Sequence, residues 1–397
     1  MHLKLDKSKW QKVQFGNVVK KVNNKIDPNE YGSDVVIQGG HINKRDFHIR
    51  EYENKKELGY LGPAFHMGFK KGQILYVSRN PHLMKVGYPH FDGICANTTF
   101  IMETKNEDIL SNDLIPFIMH SDTFIEQSVA NVRGGVNPYV NWGDLACIEF
   151  LLPPKDQQAK IAELLWAMDD VIEREIEVHD KLVITKKTVS KAKIDFGYNS
   201  KSKTLPSNWR MMKINEFSEV KAGSTPLRSN KDFFENGKFP WIKTLDLNND
   251  KIYGSEECIT QLALDKSSCK MRAKGTVLVA MYGGFNQIGR TGLLEIEAAT
   301  NQAISAVMVD KDVIIPEFLL LVLNTKIDYW KKVAISSRKD PNITKDDVEN
   351  FPVSIPPLHE QRDILLKSNS TLDSIQKLDS KISKSKSLQK SLINQVF

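Results

Sequence analysis

The sequence predicts an α+β protein: two α/β units related by a pseudo-twofold, separated by two long antiparallel helices that form a coiled-coil spacer. Three observations carry this. LLPPKDQQAKIAELL (151–165) and SIPPLHEQRDILLKS (354–368) repeat one pattern, with Pro153 and Pro356 standing 203 positions apart (356 − 153). Pro154 and Pro357, Gln158 and Gln361, and Ile161 and Ile364 keep the same offset. The stretches 155–196 and 358–397 contain neither Gly nor Pro, whereas the segments before them are rich in both and in short apolar runs. An internal repeat of this length decides the architecture before any local detail.

In chain order, 1–152 is the first unit. KWQKVQFGNVV (9–19) corresponds to NWRMMKINEFSEV (208–220), and KKGQILYVSRN to AKGTVLVAMYG, with Gly72 and Gly275 in register. CANTTFIM (95–102) corresponds to ATNQAISAVM (299–308), and RGGVNPYVNWGDLACIEFLLPP to SRKDPNITKDDVENFPVSIPP. Such runs, bounded by turn signals, predict a twisted or curled sheet. Trp10 and Trp209 recur at matching unit starts and suit core anchoring.

The stretch 153–196 is the first spacer helix. The residue before a proline is extended, and proline is tolerated in a first turn, so the Pro-Pro pair is a helix entrance. Ile161, Leu165, Met168, Ile172 and Ile176 step by three or four, the narrow apolar seam of a paired helix. A Gly/Ser/Lys/Pro linker, 197–208, precedes the second unit at 209–355. The second spacer helix, 356–397, keeps its seam through Ile364, Leu372, Ile375, Leu378, Ile382, Leu388, Leu392 and Val396. It holds many serines, middling-to-poor helix formers, so it needs a partner; a frayed, solvated tail is the alternative.

The net charge of +6 permits nucleic-acid binding without demanding it. No signal-like start or membrane-length apolar run is present, and PEFLLLVLN (316–324) suits a buried helix. The four cysteines form no CxxC pair, which predicts reduced, mostly buried thiols in a cytoplasmic protein. Two readers on a helical spacer match the symmetry of double-stranded DNA. A helix of about 40 residues is about 60 Å long, an upper bound of roughly 17 base pairs. Because the units differ in sequence, the two half-sites should differ.

The duplicated PP-x(3)-Q entrances, VKAGSTP (220–226), FPWIKTLDL (239–247) and GGFNQIGRTG (283–292) resemble a type I restriction–modification specificity subunit, over essentially the whole chain. The first unit departs from this pattern, with no GxTP stretch and with VIQGGHINKRDF (36–47) in place of PWIKTLDL. The resemblance implies that each unit is a target-recognition domain reading one half of a bipartite asymmetric DNA site. It also implies that the helices dock two modification (methyltransferase) subunits, which bring S-adenosylmethionine. Separate restriction (translocase/nuclease) subunits would use ATP and Mg, leaving this chain with no cofactor, no membrane partner and no catalysis of its own.

Arg and Lys pair with guanine or meet phosphate, and Asn and Gln pair with adenine. Candidates in the first unit are Lys44, Arg45, Arg79, Asn80, His82, Lys85 and Arg133. In the second they are Ser224, Thr225, Arg228, Lys243, Tyr282, Asn286, Gln287, Arg290, Arg338 and Lys339. Arg133 and Arg338 fall in equivalent stretches, which suits phosphate clamping; Gly134 and Gly135 are either an approach for phosphate or a plain turn. Gln158, Ile161, Leu165, Ile172, Gln361, Ile364, Ile375 and Ile382 are candidates for the helix pair or the partner-subunit contact.

No GxxxxGK[ST] loop, no strand followed by GxGxxG and no HExxH is present. NPYV (137–140) lacks the second proline of an adenine-methyltransferase motif and falls on DPNI in the other repeat, as a loop before the exit strand would. Two other readings stand beside the specificity subunit: a stand-alone coiled-coil DNA-binding or scaffold protein, and a nuclease with a dispersed carboxylate site.

Overall fold

The structure is a computed structural model that describes residues 6–194, 205–284, 286–335 and 342–397. It divides into two compact units, one of Met1–Val178 with Leu378–Phe397 and one of His179–Lys377. The division cuts through both long helices.

In unit 1 the strand Gln11–Gln14 pairs antiparallel with Glu149–Leu152, Gln11 opposite Leu152. One sheet runs Val19–Val22, Thr99–Thr104, Ile74–Val77, Val86–Gly87, all antiparallel. A second runs Glu53–Asn54, Val35–Ile37, Gly93–Cys95, Met67–Phe69 and holds one parallel pair, Val36 with Ile94. Phe15, Tyr76, Phe117 and Phe124 are fully buried, and Leu392, Ile393, Val396 and Phe397 join the same core.

Unit 2 repeats most of these pairings, adds an edge strand, Asp250–Ile252 parallel to Thr291–Leu294, and has no counterpart of Met67–Phe69 among the described residues. Arg210–Lys213 pairs with Pro352–Ile355, Arg210 opposite Ile355. A five-stranded sheet runs Ser218–Ala222, Ile304–Val309, Val277–Ala280, Thr291–Leu294, Asp250–Ile252. The smaller sheet runs Cys258–Ile259, Phe239–Ile242, Ala299–Thr300, again with one parallel pair, Trp241 with Ala299. The divergent VIQGG and PWIKT stretches therefore occupy the same place. Gly72 and Gly275, in register, have φ of 81° and 92°, a conformation that a side chain disfavours. Pro316–Asn324 is a helix with Pro at its first turn and Phe318, Leu319 and Leu323 fully buried, as its composition predicts.

The long helices span Lys155–Ile194 and Leu358–Val396. Within unit 1 they pack antiparallel. Gln389 Nε2 donates to Asp169 Oδ1 at 3.3 Å, and four residues earlier Ser385 Oγ donates to Glu175 Oε2 at 3.3 Å. Ile161, Leu165 and Ile172 are buried in unit 1, and Ile382 is half-buried there. In unit 2, Ile364 packs on the core and Ile375 is buried. Ser370 and Ser374 turn their hydroxyls onto the helix: Ser374 Oγ donates to the Ser370 carbonyl at 2.9 Å. The far end is a packed helix rather than a frayed tail, with Val396 at 1 % exposure.

Two expectations need correction. Cys95 and Cys269 are buried free thiols, but Cys147 is exposed and Cys258 half-buried; Cys147 caps the short helix Trp142–Ala146, where a turn surfaces. Gln158 and Gln361 are not surface groups of the helices. Gln158 accepts from Ser111 N (2.9 Å) and donates to the Ile109 and Pro153 carbonyls. Gln361 does the same with Ile315 N (2.8 Å), Val313 O and Pro356 O. Both are at most 1 % exposed. Each pins its helix entrance to the loop before a core helix, so neither amide is open to a partner subunit.

Candidate nucleic-acid interface

In unit 1 the candidates gather from three loops. The turn 44–45 exposes both side chains; Arg45 has φ of 54° and its N–H donates to Met84 O, joining it to the loop 79–85. In that loop Arg79 and His82 are exposed, and Asn80 is left-handed at φ 51° with its N–H on Pro138 O at 2.7 Å. The third loop, 133–139, closes on itself through Arg133 and Tyr139, whose backbones exchange hydrogen bonds of 2.8 Å. The Arg79 guanidinium lies 5.2 Å from the Tyr139 ring centroid, a cation–π contact that steadies the charge while leaving it exposed.

Two of the seven are committed within the unit. Lys85 Nζ donates to the Gly39 carbonyl at 2.5 Å. Arg133 pairs with Asp144 at 2.7 Å, and that guanidinium holds the Asp144 carboxyl below its usual range. NPYV is part of this loop, and the short helix Trp142–Ala146 separates it from the exit strand.

Unit 2 assembles its candidates differently. Gly223 passes so close to the 300–301 backbone that a Cβ would sit 2.1 Å from Asn301 O, which is why glycine opens GSTP. Ser224 N donates to Thr300 O at 2.8 Å, and Ser224 O accepts from Trp241 Nε1 at 3.1 Å. Ser224 thus braces the loop, and Thr225 Oγ1 donates onward to Gln302. Arg228 forks onto Glu257 with both terminal nitrogens and covers the Phe234 and Trp241 rings at 4.5 and 4.7 Å. Lys243 reaches Glu256 at 3.2 Å and Glu257 at 3.3 Å. The Arg228 hydrogen bond is the main reason the Glu257 carboxyl is held below its usual range. These two cations arrive at the surface already neutralised by two carboxylates.

The loop 282–290 brings the rest: Tyr282 is 40 % exposed and Asn286 exposed, while Arg290 Nε turns back to the Asn286 carbonyl at 3.0 Å. Gln287 Oε1 accepts from Thr244 Oγ1 at 3.0 Å, tying this loop to the turn at Lys243. Arg338 and Lys339 lie outside the described residues.

Tyr139, Glu256, Glu257 and Gln302 belong to these clusters and escaped the sequence reading. Only the adjacent acid pair 256–257 beside a basic set offered a signal. Among the described residues no group of three or more His, Cys, Asp or Glu side chains is arranged to hold a metal ion, and no helix is long and apolar enough to cross a membrane.

Known proteins share this arrangement. The family model for the type I restriction modification DNA specificity domain matches twice, at 7–182 and 206–387. The specificity subunit of the type I restriction enzyme HindI of Haemophilus influenzae is 20 % identical over 422 residues, covering 88 % of this chain and 90 % of that protein. The type I restriction–modification S subunit of M. genitalium superposes with a TM-score of 0.57 at 15 % identity, over 100 % of this chain and 98 % of that one. A chain from a structural study of complex assembly and conformational transition in the type I R-M system gives 0.62 at 18 % identity, over 98 % and 97 %. At these identities the structural likeness speaks for the fold alone. The two matched stretches span most of the chain, each holding one loop cluster and one helix entrance; the chain belongs to the type I restriction modification DNA specificity family and carries its domain twice.

Proposed function

We propose that this chain is the non-catalytic, cytoplasmic DNA-reading subunit of a type I restriction–modification complex. The cluster of unit 1 reads one half of a bipartite, asymmetric site in double-stranded DNA, and the cluster of unit 2 reads the other. The recognition domains are 1–152 and 209–355, with 153–196 and 356–397 as the spacer that fixes the distance between half-sites and 197–208 as the linker. The helices also dock two modification subunits, which bind S-adenosylmethionine and methylate adenine. Restriction subunits that use ATP and Mg join the same complex.

One observation carries this reading: a common set of strand pairings occurs twice, ends each time at the same pinned helix entrance, and holds a different set of donors in its loops. A common partner needs the first, and two unlike stretches of DNA need the second. Exposed Arg, Lys, Asn and Gln on loops are what base edges and phosphates require.

Exchanging 1–152 for another recognition domain tests the two-reader model. Mapping methylated adenines should show one half of the site changed and the other kept; change in both halves overturns it. Adding about one turn to the first long helix should widen the gap between halves, and an unchanged gap removes the spacer role.

A further inference from the structure

We propose that unit 2 carries a docking groove for an aromatic side chain on an acidic segment of one modification subunit, an inference that rests on the function proposed above. The groove, about 860 Å³, lies between Pro316–Asn324, the 362–372 stretch of the second long helix and the turn 248–251. Leu320, Leu321 and Leu365 line it, and Leu366 stands at its edge, 67 % exposed.

Unit 1 shows what fills this place. The two glutamine pins set the register, because Ile109 O and Ser111 N on Gln158 correspond to Val313 O and Ile315 N on Gln361, an offset of 204 (313 − 109). By that offset Asp113 corresponds to Glu317 and Phe117 to Leu321. On the long helices the offset is 203 (361 − 158), which sets Trp166 against Asn369. In unit 1 the Trp166 indole donates to Asp113 O at 3.1 Å and packs on Phe117, Phe47 and Tyr88 with centroids 4.9, 5.4 and 5.3 Å away. The same space in unit 2 is bordered by Glu317, Leu321 and an exposed Asn369 too short to fill it. An aromatic group from outside restores the packing that unit 1 makes from within.

The charge around the groove defines the segment that brings it. Lys251 is paired with Glu295 at 2.6 Å, which leaves Lys186, Lys311 and Arg362 bordering the groove against Asp250 and Glu317; the balance is positive, so the incoming segment is acidic. DNA phosphates would satisfy the cations but leave the leucines exposed, whereas an aromatic anchor in a leucine-lined pocket is the usual centre of a protein interface. The two modification subunits then dock unequally, one on a filled surface and one in an open groove.

The test uses the full chain co-expressed with its cognate modification subunit, with stoichiometry read by native mass spectrometry. Wild type should hold two modification subunits. Asn369→Trp, which transplants the plug of unit 1, should hold one, the second weakened at least tenfold. Leu366→Asp, at an exposed position where folding tolerates the change, should do the same. If both variants keep two subunits at unchanged affinity, the groove is overturned while the function stands; if wild type binds none, both fall. p-Benzoylphenylalanine at Leu366 should crosslink to a modification-subunit peptide carrying an aromatic residue beside Asp or Glu. A crosslink to a second copy of this chain, or to a peptide without an aromatic, overturns the proposal.

Discussion

The helix entrances of the two units are built alike, and the loop clusters are not. At the entrances a buried glutamine makes the same three hydrogen bonds in each unit, and Trp10 Nε1 on Gln157 (2.8 Å) mirrors Trp209 Nε1 on Glu360 (2.9 Å). In the loops, Arg79 of unit 1 lies free over a tyrosine ring, whereas Arg228 and Lys243 of unit 2 are bound to Glu256 and Glu257. The difference is physical. A buried amide must find all its partners, so its surroundings tolerate little change, while an exposed loop loses little by exchanging one polar group for another.

The strongest way to break this comparison is at the pins. Gln158→Leu and Gln361→Leu each orphan a half-buried N–H and two carbonyls, at a cost of about 3 kcal/mol. Denaturant unfolding should show equal losses in the two units; a difference beyond about 1.5 kcal/mol would show that the entrances are alike only in sequence. A smaller loss, about 1 kcal/mol each, is expected for Trp10→Phe and Trp209→Phe, which remove one hydrogen bond and keep the packing. Equal shifts in the unfolding midpoint are the check.

A third prediction separates the units by pH. His48 Nε2 sits 2.6 Å from Asp169 Oδ2 in unit 1. Burial pulls its pKa down, but the Asp169 hydrogen bond and the charges of Asp169, Glu173 and Asp46 outweigh this and leave it raised. A raised histidine contributes fully below its unfolded value of about 6.5, and that contribution is lost as pH rises through the folded value. The stability of unit 1 should therefore fall as pH rises above 6.5, and His48→Gln should flatten the fall. Superimposable profiles for the two proteins between pH 6.5 and 8.5 would remove the clamp.

The smallest effect on stability belongs to the half-buried carboxylates that hold the loop cations, and it is read in binding instead. Glu257→Gln releases the charge of Arg228 in unit 2, while Lys243 keeps Glu256, as Asp144→Asn releases Arg133 in unit 1. If these cations face DNA, each variant should steepen the salt dependence of binding by about one unit of log–log slope. Unchanged slopes would place them away from the phosphates.

The repeat, the two long helices, their entrances and the buried helix Pro316–Asn324 were legible because they rest on local signals: a fixed offset, a period of three to four and the absence of helix breakers. The loop donors were legible as residue types, which is as far as composition reaches. The partners they meet were not. Arg228 finds Glu257 across 29 positions, Gln158 finds Ile109 across 49, and Trp166 finds Asp113 across 53. The sequence by itself determined that one architecture is used twice. Only the tertiary structure decided which charges remain free, why the glutamines recur, and that an indole closes in unit 1 the space left open in unit 2. No periodicity records such contacts, because they join segments that only folding brings together.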